Sequence, residues 1–366
     1  MLQLPDFMLA PLGVAYGAAG SARRALYRAG VLKVERVAAP VVSVGNITAG
    51  GTGKTPLVEW LARAAAREGR RVCILTRGYG REGARRRVVV SDGERVLAGA
   101  REGGDEPRLL AESLRGLPVA VVSDANRVAA AAWASQHLRS EVFILDDGFQ
   151  HLRIERDLNI LTLDATDPWG GGRLLPHGRL REPLGEMRRA DLIVITRAEV
   201  CGDLEALRAR AASLSGGRPV LVARTATLRI APLATTTATA TAASAHETND
   251  SPQSLDAGIP QPLAAFCAIG NPQAFYAHAR GQGLTLNYTR AYTDHHAYTQ
   301  RDVDDCVREA VRHGARALLT TAKDAVKLRA LDFALPCYVL EVALEFDDEQ
   351  KMRAVLNECI SRRHGL

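Results

Sequence analysis

The sequence of 366 residues predicts an α/β protein with a doubly wound, mostly parallel sheet and a second, smaller α/β domain. Three observations support this fold class. Short apolar runs typical of buried strands alternate with helix-like segments along most of the chain. A glycine-rich turn follows the first of these strands and opens a helix. A Thr- and Ala-rich stretch without apolar periodicity then precedes a shorter region in which the alternation resumes.

The N-terminal region is apolar from Phe7 to Gly20 and basic afterwards, with a predicted helix from Leu4 to about Arg36. The apolar part is shorter than the roughly 20 residues that cross a bilayer, and it lacks the pattern of a signal peptide. An amphipathic helix of this kind either lies in a membrane interface or packs on its own domain. The sequence leaves both possibilities open.

The next elements are predicted from apolar runs and from helical spacing of apolar residues. Strands are expected at 41–44, 72–75, 88–91, 119–122, 142–145, 160–163, 192–196 and 220–223, and helices at 56–68, 106–114, 126–136 and 204–213. After the Thr- and Ala-rich stretch, strands are expected at 263–269, 317–321 and 338–340, and helices at 272–281, at 300–313 and at the C-terminus.

The glycine-rich turn predicts a P-loop, which makes the fold class P-loop NTPase-like. Its sequence, Thr-Ala-Gly-Gly-Thr-Gly-Lys-Thr, departs from G-x-x-x-x-G-K-[ST] only at the first position. The lysine would sit beside the β- and γ-phosphates of a nucleotide, and the last hydroxyl would bind Mg²⁺. The predicted nucleotide-binding residues are Thr48, Ala49, Gly50, Gly51, Thr52, Gly53, Lys54 and Thr55.

Carboxylates at the end of a strand predict the metal site. Asp146 and Asp147 follow the apolar run 142–145, and the carboxyl ends of parallel strands are where such sheets bind ligands. One carboxylate can hold Mg²⁺ while the other positions the metal or its neighbour. Such a pair alone is more often a strand-ending turn, but its combination with a P-loop favours a metal.

Three further segments carry chemically useful residues. Asp105 and Glu106 follow two glycines at a predicted helix start, where acids are commonly helix caps. His295 follows an aspartate in a Tyr-rich segment, and a lone pair of this kind is usually structural. The basic loop 174–183, which contains Glu182, suits the binding of an anionic or phosphorylated substrate.

Charge and cysteine content limit the partners. The net charge of +6 and the clustered arginines favour an anionic partner such as phosphate or an acidic membrane. Nucleic acid is disfavoured, because aromatic residues make up only 5% and no basic stretch is interleaved with them. Six scattered cysteines without C-x-x-C spacing indicate reduced thiols in the cytosol. No obligate protein partner is evident.

These motifs together resemble the tetraacyldisaccharide 4'-kinase family, the lipid A 4'-kinases of Gram-negative outer-membrane biosynthesis. The resemblance extends over nearly the whole chain, and the P-loop and the Asp-Asp-Gly-Phe-Gln-His run are its most specific parts. The residues that carry it are 43–47, 50–56, 77–81, 104–107, 126–127, 146–151, 174–176, 180–183, 189–191, 269–272, 294–295 and 322–327.

The resemblance implies an enzyme that uses ATP and Mg²⁺. It would transfer the γ-phosphate to the 4'-hydroxyl of tetraacyldisaccharide 1-phosphate, an acylated glucosamine disaccharide, and so give lipid IVA in lipid A biosynthesis. Because the substrate carries acyl chains, the resemblance also favours the interfacial alternative for the N-terminal helix. The expected location is the cytoplasmic face of the inner membrane, as a peripheral or monotopic protein.

The resemblance also implies roles for individual residues. Asp105 would be the general base and His295 its partner from the other domain, with Lys54 as the third catalytic residue. Glu106 and Glu182 would join Thr55, Asp146 and Asp147 around the metal. The phosphate- or substrate-binding residues would be Arg127, Arg181 and His151, although His151 would alternatively brace the acidic strand end.

The domain organisation that follows has four parts. Residues 1–38 form the amphipathic helix, 39–230 the P-loop kinase domain, 231–262 a flexible linker or insertion, and 263–366 the smaller α/β domain. The middle of the insertion is expected to be disordered and dispensable for chemistry.

The chain departs from the usual family pattern at His177 and Arg179, where small residues or proline are usual. Two alternatives belong to other classes. One is a deviant P-loop switch ATPase or metallochaperone, which would need a lysine at Ala49. The other is a non-catalytic, nucleotide-sensing membrane adaptor. ATP consumption that depends on the lipid distinguishes the kinase from both.

Overall fold

One continuous, mostly parallel sheet runs through the molecule, in a computed structural model that describes residues 6–83, 86–234 and 258–363. Its order is β10-β9-β11-β12-β8-β7-β6-β1-β5-β2-β4-β3. The strands are β1 Val41–Gly45, β2 Val72–Thr76, β3 Val88–Asp92, β4 Val119–Ser123, β5 Val142–Asp146, β6 Leu158–Asp164, β7 Leu192–Thr196, β8 Val220–Pro232, β9 Leu263–Cys267, β10 Leu286–Ala291, β11 Ala317–Thr321 and β12 Cys337–Phe346. Among them, β3 and β12 pair antiparallel with β4 and β8 respectively.

Helices cover both faces of the sheet, as the alternation of elements predicts. They are α1 Asp6–Arg28, α2 Lys54–Arg67, α3 Ala100–Gly103, α4 Asp105–Ser113, α5 Arg127–His137, α6 Leu204–Ser215, α7 Pro272–Gly281, α8 Gln300–Arg312, α9 Ala322–Leu328 and α10 Glu349–Ser361. Short 3₁₀ turns lie at Gly170–Gly172, Leu184–Arg189 and Ala198–Val200. The predicted fold class is therefore confirmed.

Strand β1 lies near the middle of the sheet and sets the position of the P-loop. It is buried along its whole length and pairs in parallel with β5 on one side and β6 on the other. The register with β5 places Val44 opposite Asp146. The loop that follows β1 and the acids that end β5 consequently lie at the same edge of the sheet.

The two halves of the molecule are joined by a pair of long strands. The start of β8 pairs in parallel with β7, and the rest of β8 pairs with β12 from Ala223 to Pro232. Beyond β12 lie β11, β9 and β10, which form the smaller α/β half. The smaller half thus extends the sheet of the P-loop half instead of forming a sheet of its own.

Most predicted elements are present, and the structure adds three that were not predicted, namely β10, α9 and the four-residue helix α3. Strand β10 is half exposed at the sheet edge and has the polar sequence Leu-Asn-Tyr-Thr-Arg-Ala. Helix α9 has only seven residues, too few for a helical period to stand out. Strand β8 also extends into the predicted linker 231–262. Residues 235–257, the core of that predicted linker, lie outside the described residues.

The N-terminal helix is shorter than predicted: it ends at Arg28 and not near Arg36. Gly30 adopts a φ of +72°, and its N–H donates to the carbonyl of Tyr27. A glycine in this left-handed conformation commonly terminates a helix. The chain then becomes extended, and Glu35 forms a parallel bridge with Ile154. Among the described helices, none has the length and apolar character needed to cross a bilayer.

The final helix, α10, packs on the P-loop half, although the predicted boundary places it in the smaller domain. Its residues Met352 and Leu356 belong to the same buried cluster as Leu57 and Leu61 of α2. The cause is the length of β12, which carries the chain back across the junction before α10 begins. The C-terminus therefore helps to stabilise the helix that follows the P-loop.

Replacing Leu356 by alanine should lower the free energy of unfolding by about 2–5 kcal/mol, because the side chain is 1% exposed and a cavity would remain. The exposed neighbour Asn357 provides the control, since Asn357→Ala should change it by less than about 0.5 kcal/mol. Urea unfolding measures both. Equal stability of the two variants would contradict the packing of α10.

Candidate functional site

The P-loop is held in place by side chains from its own turn and from the end of strand β7. Asn46 donates from Nδ2 to the Thr48 carbonyl at 2.7 Å and to Thr52 Oγ1 at 2.9 Å. Thr196, at the end of β7, donates from Oγ1 to the Thr52 carbonyl at 3.0 Å. Gly53 has a φ of +72° and caps α2, so Lys54 is the first residue of that helix. The loop therefore leaves its strand and enters its helix as a phosphate-binding loop requires.

The basic loop 174–183 pairs directly with the P-loop. Thr48 forms an antiparallel bridge with Leu180. The Ala49 N–H donates to the Arg179 carbonyl at 2.6 Å, and the Arg181 N–H donates to the Ile47 carbonyl at 2.7 Å. The sequence predicted both loops but not this contact between them. It places two arginines beside the P-loop.

Asp147 is the ionised member of the predicted acid pair. Arg181 binds both of its carboxylate oxygens, at 2.7 and 2.9 Å, and Lys54 Nζ lies 3.5 Å from Oδ1. Burial alone would raise the pKa of Asp147, but the charges and hydrogen bonds of Lys54 and Arg181 hold it well below the usual range. Asp147 thus orients the two cations.

Asp146 has the opposite electrostatic character. Its side chain is buried, and burial together with repulsion from Glu106 and Asp147 raises its pKa to about 7, against the opposing effect of Lys54 and Arg127. Its Oδ1 has no hydrogen-bond partner among the residues that the structure describes. A buried carboxylate oxygen of this kind fits a cation as a ligand.

The acid cluster does not by itself form a complete metal cage. Within residues 6–83, 86–234 and 258–363, no three His, Cys, Asp or Glu side chains are grouped so as to hold a metal ion. Magnesium commonly uses only one or two protein carboxylates and takes its remaining ligands from water and substrate phosphates. Asp146 at the strand end is compatible with such a site.

The predicted pair Asp105 and His295 is brought together from the two halves of the molecule. Asp105 is the first residue of α4, and His295 Nδ1 lies 3.4 Å from its Oδ2. Burial tends to raise the pKa of Asp105, but the hydrogen bond to His295 and the charges of Lys327 and Lys323 lower it overall. The carboxylate is consequently ionised at neutral pH.

Two lysines of α9 complete this junction, and no individual role was predicted for either of them. Lys327 Nζ lies 3.6 Å from Asp105 Oδ2, and Lys323 Nζ lies 3.0 Å from Glu106 Oε1. Lys323 also pairs with Asp294 at 3.2 Å. Both belong to the run 322–327 that supported the family resemblance, but Glu106 and Asp105 lie more than 200 residues away from them in the chain.

Arg127 and His151 lie in a basic environment near the acids. Arg127 is buried at the start of α5, where its charge acts on Asp146, and its Nε has no hydrogen-bond partner in the described part of the chain. Burial and the charges of Arg127 and Arg156 lower the pKa of His151 to about 4. His151 is therefore neutral at pH 7 and can contact a phosphate only through an N–H.

Glu182, which was predicted to join the metal site, lies in ion pairs in this structure. The side chain is buried and pairs with Arg189 and with Arg24 of the N-terminal helix, the latter at 3.7 Å. Two guanidinium groups already neutralise this carboxylate. Glu182 is a structural anchor for α1, and this contact could not be seen without the tertiary structure.

Comparisons with known proteins agree with this site. A family model described as tetraacyldisaccharide-1-P 4'-kinase, LpxK, matches residues 5–361. The chain belongs to this family. The expectation from the sequence motifs is thus confirmed, and the LpxK family covers both halves of the sheet and the helix α1.

Individual relatives of the LpxK family support the assignment. A tetraacyldisaccharide 4'-kinase of Geobacter metallireducens is 39% identical over 329 residues, which cover 88% of each chain. One of Anaeromyxobacter sp. (strain Fw109-5) is 42% identical over 328 residues, covering 88% of this chain and 83% of the relative. The solved structure of LpxK from Aquifex aeolicus in complex with ATP has a TM-score of 0.72 and 30% identity, covering 96% of this chain and 98% of that one.

Asp146→Asn should stabilise the nucleotide-free protein at pH 8 and have little effect near pH 4. In the unfolded chain Asp146 ionises near a pKa of about 4, whereas in the folded protein it stays protonated up to about pH 7. Its contribution to stability is therefore fully present at low pH and is lost as the pH rises to 7. Thermal unfolding without Mg²⁺ at both pH values measures the effect.

Asp147→Asn is the matched comparison, and it should destabilise the protein at pH 8, where Asp146→Asn stabilises it. Because the folded-state pKa of Asp147 is depressed, its stabilising contribution is present above pH 4 and is lost as the pH falls below it. The variant should lose about 1–3 kcal/mol at pH 8. If both variants shifted the melting temperature in the same direction at pH 8, the assigned charge states would be wrong.

Proposed function

We propose that this chain transfers the γ-phosphate of ATP to the 4'-hydroxyl of tetraacyldisaccharide 1-phosphate, giving lipid IVA for lipid A biosynthesis. The family assignment supports the reaction. One structural observation supports it independently, namely that Gly270, beside Asp294 and thus next in space to the segment of His295, approaches Gly51 of the P-loop. A general base within reach of bound phosphates is what an alcohol acceptor needs and what simple nucleotide binding does not.

The smaller half approaches the P-loop at Gly270. A Cβ placed on Gly270 would lie 2.7 Å from the Gly51 nitrogen and 3.4 Å from Asp294 Oδ2. Asp294 in turn accepts a hydrogen bond from the His295 backbone at 3.0 Å. Only a glycine permits this approach, so His295 stands beside the loop that would hold the triphosphate.

Asp105 is suited to accept the proton of the attacking hydroxyl. Its carboxylate is ionised at neutral pH, and His295 can donate a hydrogen bond that fixes its orientation. Because α4 and His295 belong to different halves, the pair forms only when the halves are together. Closing the halves over the substrates would also exclude water from the phosphoryl transfer.

The remaining residues balance the charge of the phosphates. Lys54 and the N–H groups of residues 50–54 would hold the β- and γ-phosphates, and Arg181, oriented by Asp147, would reach their oxygens. Asp146 would hold Mg²⁺, together with Thr55 and Glu106, two other residues expected around the metal. When bound, this ion neutralises charge that develops on the transferred phosphoryl group.

The N-terminal helix is proposed to bring the enzyme to its lipid. Gly13 and Gly17 of α1 pack on Leu174 of the basic loop. The apolar side chains of Leu12, Tyr16 and Leu26 share another face and are 50%, 42% and 43% exposed. Helical spacing puts the basic Arg23 on that same face, where its exposed guanidinium also donates to the Gln150 carbonyl at 3.4 Å. A basic residue beside apolar ones is expected for a helix at a membrane surface. We propose that this face lies in the cytoplasmic leaflet of the inner membrane.

Asp105→Asn should lower kcat for the lipid substrate by about 10²- to 10⁴-fold and leave the KM for ATP nearly unchanged, since the base acts in the chemical step. Glu112→Gln is the control on the same helix, because Glu112 pairs with Arg329 and not with His295. Transfer of ³²P to tetraacyldisaccharide 1-phosphate measures both. Lipid-independent ATP hydrolysis by the wild type would favour a switch ATPase. Absence of any turnover by the wild type would favour a nucleotide-sensing adaptor.

The double substitution Leu12→Glu and Leu26→Glu should weaken binding to phosphatidylethanolamine–phosphatidylglycerol vesicles by about tenfold or more, because two apolar side chains would no longer be buried in the bilayer. Val311→Glu changes an equally exposed residue, 57% accessible, on α8 of the other half. Its vesicle binding should match that of the wild type. If both proteins sedimented equally with vesicles, α1 would not be the membrane contact.

A further inference from the structure

Arg179 occupies one of the two positions at which the chain departs from the usual family pattern, and it contacts the P-loop directly. Its Nε and Nη2 donate to the Ala49 carbonyl at 3.2 and 2.8 Å. Its Nη1 donates to Asp167 Oδ2 at 2.8 Å. The side chain is nevertheless 48% exposed, so it is not a residue enclosed in the core.

The pairing of the two loops determines the direction in which Arg179 points. Residues 179–181 form an extended segment against the P-loop, and side chains alternate along such a segment. Leu180 points into the core, where it joins a cluster with Ile47 and Phe149. Arg179 and Arg181 therefore lie on the opposite face, where Arg181 already meets Asp147 beside Lys54.

The guanidinium of Arg179 lies against the middle of the P-loop. A Cβ placed on Gly50 would be 2.5 Å from Nη2 of Arg179, and Gly50 has a φ of +110°. Any side chain at Gly50 would displace the arginine. Ala49, the residue before it, carries no charge, although the deviant P-loop ATPases have a lysine there. Arg179, from the neighbouring loop, supplies a positive charge beside Ala49 and Gly50.

The guanidinium also retains donors for a ligand. Arginine has five N–H groups, and the three contacts to Ala49 and Asp167 leave one on Nη1 and one on Nη2. Asp167 is a single acid, 36% exposed, and its contact orients the plane of the guanidinium. Arginine in such a fixed position suits phosphate oxygens, which accept two parallel hydrogen bonds.

We propose that Arg179 is a further phosphate-binding residue of this nucleotide site, acting on the polyphosphate of ATP from the same face of the segment as Arg181. The inference rests on the proposed nucleotide site. A purely structural role, in which Arg179 only braces the Ala49 carbonyl, makes a different prediction for a lysine at this position. Lysine keeps the positive charge but cannot make the two-nitrogen contact to the carbonyl.

The test is equilibrium binding of ATP and of adenosine, in the presence of Mg²⁺, to the full chain and its variants. Arg179→Gln should weaken ATP about tenfold, because a charged hydrogen bond to phosphate is lost, and should leave adenosine unchanged. Arg179→Lys should recover most of the ATP affinity. Arg173→Gln is the control, since Arg173 is an exposed arginine of the adjoining segment whose side chain contacts His177; its ATP affinity should equal that of the wild type.

Three results would overturn the inference, provided that the melting temperatures show folded variants. They are unchanged ATP affinity in Arg179→Gln, an equal loss in Arg179→Lys and Arg179→Gln, or an equal loss of adenosine binding. The first leaves Arg179 without a role at the site, and the other two indicate bracing of the loop. If the wild type itself bound no ATP, the proposed function would fail and not only the role of Arg179.

Discussion

The parallel register between β1 and β5 is the constraint on which the site depends. Because Val44 stands opposite Asp146, the loop that leaves β1 and the acids that end β5 must meet at one edge of the sheet. Both strands are fully buried, so a slip in register would expose apolar side chains or bury polar ones. The hydrophobic core therefore fixes the distance between the P-loop lysine and the acid pair.

Charge at this edge is organised by the different partners of two similar groups. Asp146 and Asp147 are neighbours in the chain, yet one is held near neutrality and the other is strongly ionised. The left-handed backbone at Asp147, with a φ of +54°, turns its carboxylate toward Arg181 while Asp146 stays in the buried strand end. The two carboxylates thus have different roles: Asp146 is available to a cation, and Asp147 orients Lys54 and Arg181.

The basic loop 174–183 connects the P-loop with α1, two segments between which the sequence predicted no contact. One side of it pairs with the P-loop, and Leu174 packs on the glycines of α1. Glu182 then ties the loop to Arg24 of that helix. A helix proposed to lie on a membrane is therefore in direct contact with the loop that carries Arg179 and Arg181.

The sequence by itself determined the fold class, the P-loop, the acid pair and the family, because these depend on local patterns and on motif order. It could not determine the end of α1, the short helix α9, or the side of the molecule on which α10 packs. Only the tertiary structure decided the pairing of Lys323 and Lys327 with Glu106 and Asp105, and of Arg179 with Ala49. These contacts join residues far apart in the chain: the two lysines reach across the junction of the two halves, and Arg179 reaches across two loops of the P-loop half.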